Sequence, residues 1–253
     1  TWSPVRGQGP GFFTTRRACL RAALSVGRTS AHKAQYRERI MATKTLEVEV
    51  KFQPSEETAA VLAGLEKQLT CPLKTKVFTD SYFDEDLKLA SRDWWLRRRD
   101  QVWELKSPAQ GGTGATAAAY EERNQEESIA DKIRGAGLTT AEGQGLAAFP
   151  ALVAFMVLRT TRTTYCLQGG LEVVVDSVEG LDAAGRVLGT MQVGEVERMV
   201  TSPAEVPAAE HEVQSFVQES LRAAPIRVGK ADWYLRSFQG GIYDELGKRG
   251  VLK

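Results

Sequence analysis

The strict alternation of residues 45–52 (TLEVEVKF) constrains the fold of this chain more than any other feature. In an extended strand such a pattern separates two faces, one apolar and one charged. The apolar face carries Leu46, Val48, Val50 and Phe52, and the charged face carries Glu47, Glu49 and Lys51. A charged strand face ordinarily lies in water. Here several later segments repeat in-phase charges, in a set too rich for a solvated face, so we expect this face of the sheet to carry the chemistry.

The composition is that of an ordinary soluble globular protein, with 253 residues, 42% hydrophobic and 26% charged. The formal net charge of +1 gives no whole-molecule field that would favour nucleic acid. Apolar runs stay well short of a membrane span. We therefore expect a monomer that has neither a nucleic-acid nor a membrane partner.

The cysteines and histidines exclude several kinds of chemistry. Cys19, Cys71 and Cys166 are odd in number, widely separated and without a CxxC pair, which predicts neither a disulfide framework nor a zinc site and favours a reducing compartment. His32 and His211 are the only histidines, so the sequence offers almost no basis for nucleophilic catalysis by a Ser-His or Cys-His pair. Carboxylates, lysines and arginines must carry the function.

Residues 1–42 differ from the rest of the chain, because they are rich in arginine and have no acidic residue before Glu38. We expect this segment to be a disordered extension, either a mitochondrial transit-like peptide or translated sequence upstream of a natural start at Met41. Residues 43–253 are predicted to form one domain. The expected location is the cytoplasm, or the mitochondrial matrix if residues 1–42 are a transit peptide.

Alternation and turn residues predict mainly strands, arriving as hairpins with helical interruptions. Strands are expected at 45–52, 77–84, 94–99, 101–106, 120–123, 159–167, 171–176 and 191–200. Helices are expected after the N-cap Ser55, from about Ser128, from Pro207, and at 230–238 and 242–246. Residues 107–117, rich in Gly, Ala and Thr, are expected to form a mobile loop. This pattern predicts an α+β protein built on an antiparallel sheet.

Two short charge patterns recur on the predicted strands. Glu-x-Glu occurs at 47/49 and at 195/197, and Arg-x-Arg occurs at 97/99. Residues i and i+2 of a strand point the same way, roughly 6–7 Å apart. Paired carboxylates suit a hard cation such as Mg²⁺ or Mn²⁺, and paired guanidinium groups suit phosphate.

Each pattern alone is common on a solvent-facing strand, but together they predict a wall that binds both a metal and phosphate. A closed antiparallel barrel with a polar lumen would bring these side chains face to face. The in-phase acids are Glu47, Glu49, Glu104, Glu122, Asp176, Glu195 and Glu197. The in-phase bases are Lys51, Arg97, Arg99, Lys106 and Arg162.

The ordered motifs resemble the CYTH family, the triphosphate tunnel metalloenzymes, and within it the thiamine-triphosphatase type. Residues 47–51 (EVEVK) fit the ExExK signature of that family. The further motifs follow in family order: WLRRR at 95–99, WELK at 103–106, VGEVE at 193–197, and Gly229-Lys230 followed by Tyr234-Leu235. The resemblance extends from about Thr45 to the C-terminus.

The resemblance implies an eight-stranded antiparallel tunnel, with a polar lumen and helices outside, that binds a linear triphosphate. It implies phosphate-binding roles for Lys51, Arg97, Arg99, Lys106, Arg162 and Lys230. It implies metal-side roles for Glu47, Glu49, Glu122, Asp176, Glu195 and Glu197. Trp95 corresponds to an aromatic residue at the organic end of the substrate, although ordinary packing would also explain it.

The functional hypothesis is Mg²⁺-dependent hydrolysis of thiamine triphosphate to thiamine diphosphate and phosphate, with Mn²⁺ as a possible substitute. Glu49 or Glu197 would orient or deprotonate the attacking water, and Lys51 completes the expected catalytic set. The alternatives are an inorganic tripolyphosphatase, a class IV-like adenylyl cyclase and a non-catalytic polyphosphate-binding barrel. The paired carboxylates weigh against the last, since a pure anion trap has no use for them.

Overall fold

The structure is a computed structural model that describes residues 45–113, 117–139, 145–146, 149 and 151–252. The extension expected at residues 1–42 lies outside the described residues. None of the described helices combines the length and the apolar character needed to cross a membrane.

Eight strands form the body of the domain. They are β1 (Leu46–Phe52), β2 (Lys74–Asp84), β3 (Trp95–Arg99), β4 (Val102–Thr113), β5 (Ala117–Arg123), β6 (Val153–Cys166), β7 (Leu171–Leu181) and β8 (Val187–Val200). Their order in the sheet is β5-β4-β3-β2-β6-β7-β8-β1, and every pairing is antiparallel. A further pairing of β1 with β5 closes the sheet. The closed eight-stranded antiparallel barrel is thereby confirmed.

In the described part of the chain, a short strand and five α-helices accompany these strands. They are β9 (Pro225–Ile226), which pairs with the end of β1, and α1 (Glu56–Leu65), α2 (Glu126–Gly135), α3 (Val206–Ser215), α4 (Lys230–Phe238) and α5 (Gly240–Lys248). The expected N-cap of α1 is confirmed: Ser55 Oγ accepts from the backbone N–H of Thr58 at 3.2 Å, and Thr58 Oγ1 accepts from that of Ser55 at 2.7 Å. This reciprocal capping box satisfies two backbone donors that the first helical turn leaves free.

The main hydrophobic core lies outside the barrel, between the outer face of β1 and the helices. Val48, Val50 and Phe52 are completely buried there, against side chains of α1 and α3 such as Leu62 and Val213. Burying each of these side chains contributes about 1.5–3 kcal/mol. The apolar face of the opening alternation therefore fixes the charged face inward, as the sequence predicted.

Several strands run longer than predicted. The loop expected at 107–117 is wrong in part, because β4 continues to Thr113 and β5 begins at Ala117. Ser107 and Pro108 pair with Glu121 and Tyr120 across these strands. Small residues give no periodic apolar signal, so the sequence does not reveal such pairing. Residues 151–158 and 159–167, which the sequence separates, are largely one strand, β6.

The structure also corrects the expectation about cysteines, because Cys71 and Cys166 are joined by a disulfide. Their Cα atoms lie 5.7 Å apart although 95 positions separate them in the chain. The pairing of β2 with β6 brings them together, since Lys74 faces Thr164. Spacing in the sequence cannot indicate a contact that only strand pairing creates.

Candidate active site

The charged faces of the strands converge inside the barrel. Glu47 and Glu49 reach the lumen from β1, and Glu195 and Glu197 reach it from the neighbouring β8. Register places Glu49 opposite Glu197 and Lys51 opposite Glu195. Alternation thus puts both Glu-x-Glu pairs on one side of the lumen, where the sequence placed them.

Glu49 lies at the centre of this charge cluster, with only 2% of its surface exposed. Its two carboxylate oxygens are shared between two lysines: Oε1 accepts from Lys51, and Oε2 accepts from Lys106 Nζ at 2.6 Å. Lys106 also donates to Glu47 Oε2 at 2.5 Å. The lysines predicted to bind phosphate therefore contact the carboxylates predicted to bind metal.

A second cluster surrounds Arg162 on β6. Its guanidinium binds Asp176 in a bidentate manner, with Nε–Oδ1 and Nη2–Oδ2 distances of 2.8 Å each. It also lies 3.2 Å from Glu195 and 3.7 Å from Glu197. Lys230, the first residue of α4, reaches Asp176 Oδ2 at 2.6 Å. Asp176 is fully buried and contacts both cations, so it acts as their counter-ion in this structure.

A third cluster holds the Arg-x-Arg pair of β3. Arg99 binds Asp80 with both oxygens, at 2.8 and 3.0 Å, and Arg97 donates to Glu104 Oε2 at 2.7 Å. Arg97 also lies 3.8 Å from Glu122. The two forks therefore point to the same region of the lumen, as the alternation predicted.

Burial and neighbouring charges separate the pKa values of the acids. Burial raises the pKa of Glu47 to about 7 against the opposing effect of Lys106, and Glu122 and Glu49 raise it further. Burial, together with the charge of Glu47, also raises the pKa of Glu197 well above its ordinary value, although Arg162 opposes this. Both carboxyls therefore hold a proton to higher pH than an ordinary glutamate does.

The other two members of the Glu-x-Glu pairs behave in the opposite way. Burial works against ionisation of Glu49, but Lys106 and Lys51 outweigh it and lower its pKa. Burial is likewise outweighed at Glu195, where Lys230 and Lys51 hold the pKa well below its ordinary value. Each pair thus contains one carboxyl that ionises easily and one that resists ionisation.

Three of these carboxylates could together hold a metal ion. Glu47, Glu49 and Glu197 each offer one oxygen, and these oxygens lie within 4.8 Å of one another. An all-oxygen donor set fits a hard divalent cation. Of the other predicted metal-side residues, Glu122 and Glu195 also line the larger cavity, whereas Asp176 is fully buried and contacts Arg162 and Lys230.

Two adjoining cavities, of about 570 and 210 Å³, form the lumen. Both are lined by Glu47, Arg97, Glu122, Arg162 and Glu197. Lys51, Trp95 and Lys230 line only the larger cavity, and Arg99 and Glu172 line only the smaller one. All the residues singled out from the sequence therefore line this passage or contact residues that line it.

The sequence reasoning missed several lumen residues. Asp80 and Tyr82 follow Phe78 in phase on β2, so their alternation was a usable signal. Tyr120 is likewise in phase with Glu122 on β5. Asp93 lies at a turn and Asp232 on a helix, where no alternation marks them. These missed residues are Asp80, Tyr82, Asp93, Tyr120 and Asp232.

Trp95 has the two environments that the sequence left open. It lines the larger cavity, and it also packs edge-to-face on Tyr82 with ring centroids 6.4 Å apart. Its neighbour Trp94 packs on the opposite side of the sheet, beside Leu96 and Ile129. Trp95 is therefore both a packed residue and part of the cavity wall.

Comparison with known proteins defines the family to which this fold and site belong. The CYTH domain model matches residues 45–225, which is most of the described part of the chain. The protein belongs to the CYTH domain family.

Curated relatives and a solved structure agree with this assignment. The chain is 31% identical to the thiamine-triphosphatase of Macaca fascicularis and 30% identical to that of Homo sapiens. Each alignment covers 81% of this chain and 91% of the relative. A solved protein structure from Pyrococcus horikoshii shares the fold, with a TM-score of 0.51 and 18% identity over 75% of this chain and 98% of that one.

Proposed function

We propose that this protein hydrolyses thiamine triphosphate to thiamine diphosphate and phosphate, with Mg²⁺ as cofactor. The observation that carries this proposal is the group formed by Glu47, Glu49 and Glu197, whose oxygens lie within 4.8 Å of one another in a cavity also lined by cationic side chains. The thiamine-triphosphatase relatives, at 30–31% identity, support the choice of substrate.

The basic residues of the lumen bind the phosphate chain. In the structure, carboxylates neutralise the charges of these basic residues. The negatively charged oxygens of a triphosphate would take the place of those carboxylates. Arginine forks bind phosphate oxygens in pairs, and lysines act as point charges. The set is Lys51, Arg97, Arg99, Lys106, Arg162 and Lys230.

Glu47, Glu49 and Glu197 would hold the Mg²⁺ ion, with Mn²⁺ as an alternative of the same ligand preference. When bound, a divalent cation supplies charge neutralisation at the terminal phosphoryl group and acidifies the attacking water. Glu49, ionised beside Lys51 and Lys106, is ready to serve as an oxygen ligand. Because Lys51 and Lys106 contact this carboxylate, the residues that would hold the cation adjoin residues that would bind phosphate.

Glu49 and Glu197 are the two candidates for the group that orients or deprotonates the attacking water. Burial and Glu47 raise the pKa of Glu197 well above the ordinary value, whereas the pKa of Glu49 is lowered. Lys51 would neutralise charge on the phosphate chain.

The test is phosphate release, with Mg²⁺, from thiamine triphosphate, tripolyphosphate and ATP, for the wild type and Glu49→Gln. We expect preference for thiamine triphosphate, a loss of turnover of at least about 100-fold in the variant, and none left in excess EDTA. Preference for tripolyphosphate would contradict the substrate assignment. Pyrophosphate release from ATP would instead indicate a cyclase. Binding without turnover of any of the three would indicate a non-catalytic barrel.

A further inference from the structure

Asp93 holds two aromatic rings in the wall of the larger cavity. Its Oδ1 accepts a hydrogen bond from the indole Nε1 of Trp95 at 2.7 Å, and its Oδ2 accepts from the Tyr120 hydroxyl at 3.3 Å. All three residues line the cavity. One carboxylate thus connects side chains of β3 and β5 into a single wall.

The charge of Asp93 is not neutralised by these contacts, because both donors are uncharged. Within the described part of the chain, no lysine or arginine nitrogen lies within 4.0 Å of its carboxylate. Burial raises its pKa, against the effect of its hydrogen bonds and of the more distant Lys106 and Lys51. The carboxylate therefore stands to gain from a positive charge placed beside it.

Asp232, in the first turn of α4, is a second carboxylate that lines the same cavity. Its Oδ2 accepts from the backbone N–H of Gly229 at 3.3 Å, and its buried Oδ1 has no hydrogen-bond partner among the described residues. Burial raises its pKa, and the charge of Asp93 raises it further although Lys51 opposes the change. The two carboxylates thus line one cavity, and neither forms an ion pair with a lysine or arginine within the described part of the chain.

These two acids differ from the carboxylates deeper in the lumen. Each of the deeper ones lies within 4.0 Å of a lysine or arginine nitrogen: Glu47, Glu49, Asp80, Glu104, Glu122, Asp176, Glu195 and Glu197. A triphosphate chain has no use for extra negative charge in the cavity wall, since like charges repel. Carboxylates beside the rings of Trp95 and Tyr120 instead suit a cation with an aromatic face.

We propose that Asp93 and Asp232 are specificity-determining residues, selecting a triphosphate ester whose organic end is a cationic aromatic ring. Asp93 is in addition a positioning residue for Trp95 and Tyr120. This inference rests on the proposed function and deepens it, because thiamine carries a permanent positive charge on its thiazolium ring. Tripolyphosphate has no organic end, and the adenine of ATP is neutral, so neither would gain from the two carboxylates.

Asp93→Asn is a clean test of the charge. The amide oxygen can still accept from Trp95, the amide nitrogen can donate to the Tyr120 oxygen, and asparagine tolerates the φ of +57° at this position. We expect the KM for thiamine triphosphate to rise about tenfold in Asp93→Asn and in Asp232→Asn. The kcat and the KM for tripolyphosphate and for ATP stay unchanged. Asp244→Asn, which removes the same charge from the exposed face of α5, serves as the control.

A parallel rise in KM for all three substrates, or an unchanged KM for thiamine triphosphate, would overturn the inference. A second measurement separates it from the proposed function: calorimetric binding of thiamine diphosphate and of inorganic pyrophosphate. The variants should weaken binding of the former and leave binding of the latter intact. A wild type that hydrolyses no triphosphate contradicts the proposed function, whereas equal effects on both diphosphates contradict the role of Asp93 and Asp232.

Discussion

Arg99 and Asp80 show how closely the single charges of the lumen depend on one another. Asp80 is fully buried, and both of its oxygens bind Arg99. Burial opposes its ionisation, but Arg97 and Arg99 lower its pKa below the ordinary value. A substitution at Arg99 therefore affects both the phosphate site and a buried carboxylate.

Replacing Arg99 by alanine should weaken substrate binding and also destabilise the fold. The lost phosphate contact is worth about 1.5–3 kcal/mol of binding free energy. The loss of the Arg99 partner of the buried Asp80 lowers the free energy of unfolding by about 3 kcal/mol. The double variant Arg99→Ala/Asp80→Asn should recover stability but not KM. Urea unfolding and KM for each variant measure the two effects.

Arg98→Ala is the matched control for this experiment. Arg98 points to the opposite face of β3, where its guanidinium lies 5.8 and 5.7 Å from the ring centroids of Phe83 and Trp103. Its loss should leave KM unchanged. Equal KM values for Arg98→Ala and Arg99→Ala would contradict the lumen assignment of Arg99.

Glu47 should make the stability of the metal-free protein depend on pH. Burial raises its pKa from 4.5 to about 7, so between these values the folded state holds a proton that the unfolded state has released. The contribution of Glu47 to stability is therefore greatest below pH 4.5, and it falls as the pH rises to about 7. The loss is roughly 3 kcal/mol.

Glu47→Gln should remove most of this dependence, and unfolding in EDTA at pH 5, 6, 7 and 8 measures it. The neutral amide also relieves Glu197, whose pKa Glu47 helps to raise. Stability that falls as steeply in Glu47→Gln as in the wild type would show that another group is responsible.

At the scale of elements, β1 joins the core to the site. Its outer face packs on the helices and its inner face carries Glu47, Glu49 and Lys51, so its register decides both. Register is held in part by Gly194 of β8, which lies opposite Phe52. A Cβ at Gly194 would come within 2.2 Å of the Phe52 ring, so only glycine leaves room for it.

Gly194→Ala should therefore destabilise the protein by about 2–3 kcal/mol, because the Phe52 ring or one of the two strands must shift. Since Glu195 follows Gly194 directly, turnover should fall as well. Thermal unfolding and kcat measure the two effects.

Gly64→Ala is the corresponding control, because nothing lies within 4 Å of a Cβ at that position of α1. It should leave activity unchanged and stabilise the protein by about 0.5–1 kcal/mol. A Gly194→Ala variant as stable as Gly64→Ala would mean that Phe52 moves aside without cost.

At the scale of the whole molecule, the disulfide between Cys71 and Cys166 ties the start of β2 to the end of β6. It encloses a loop of 95 residues. In the chain-entropy model, closing a loop of this length stabilises the folded state by about 4–5 kcal/mol. Cys71→Ser should therefore lower the melting temperature, and dithiothreitol should lower that of the wild type to the same value.

Cys19→Ser, a change outside the described residues, is the control and should respond to dithiothreitol as the wild type does. A wild type that melts identically with and without reductant would show that the two thiols remain unbonded under those conditions.

The sequence by itself determined the parts of this protein that depend on local alternation. The sequence predicts the charged face of β1, both Glu-x-Glu pairs and the Arg-x-Arg pair, because a strand points every second side chain the same way. Their number predicted a closed antiparallel barrel with a polar lumen, and the family resemblance supplied the count of eight strands. The N-cap Ser55 could be predicted for a similar reason, since a capping residue acts within one helical turn.

Only the tertiary structure decided which distant groups meet. Asp80 and Arg99, Lys106 and Glu49, and Cys71 and Cys166 are brought together by strand pairing across the closed barrel. Asp93 and Asp232 join the cavity wall from a turn and a helix, where no period marks them. Contact and burial set the pKa values of these groups, and both arise only when the barrel closes.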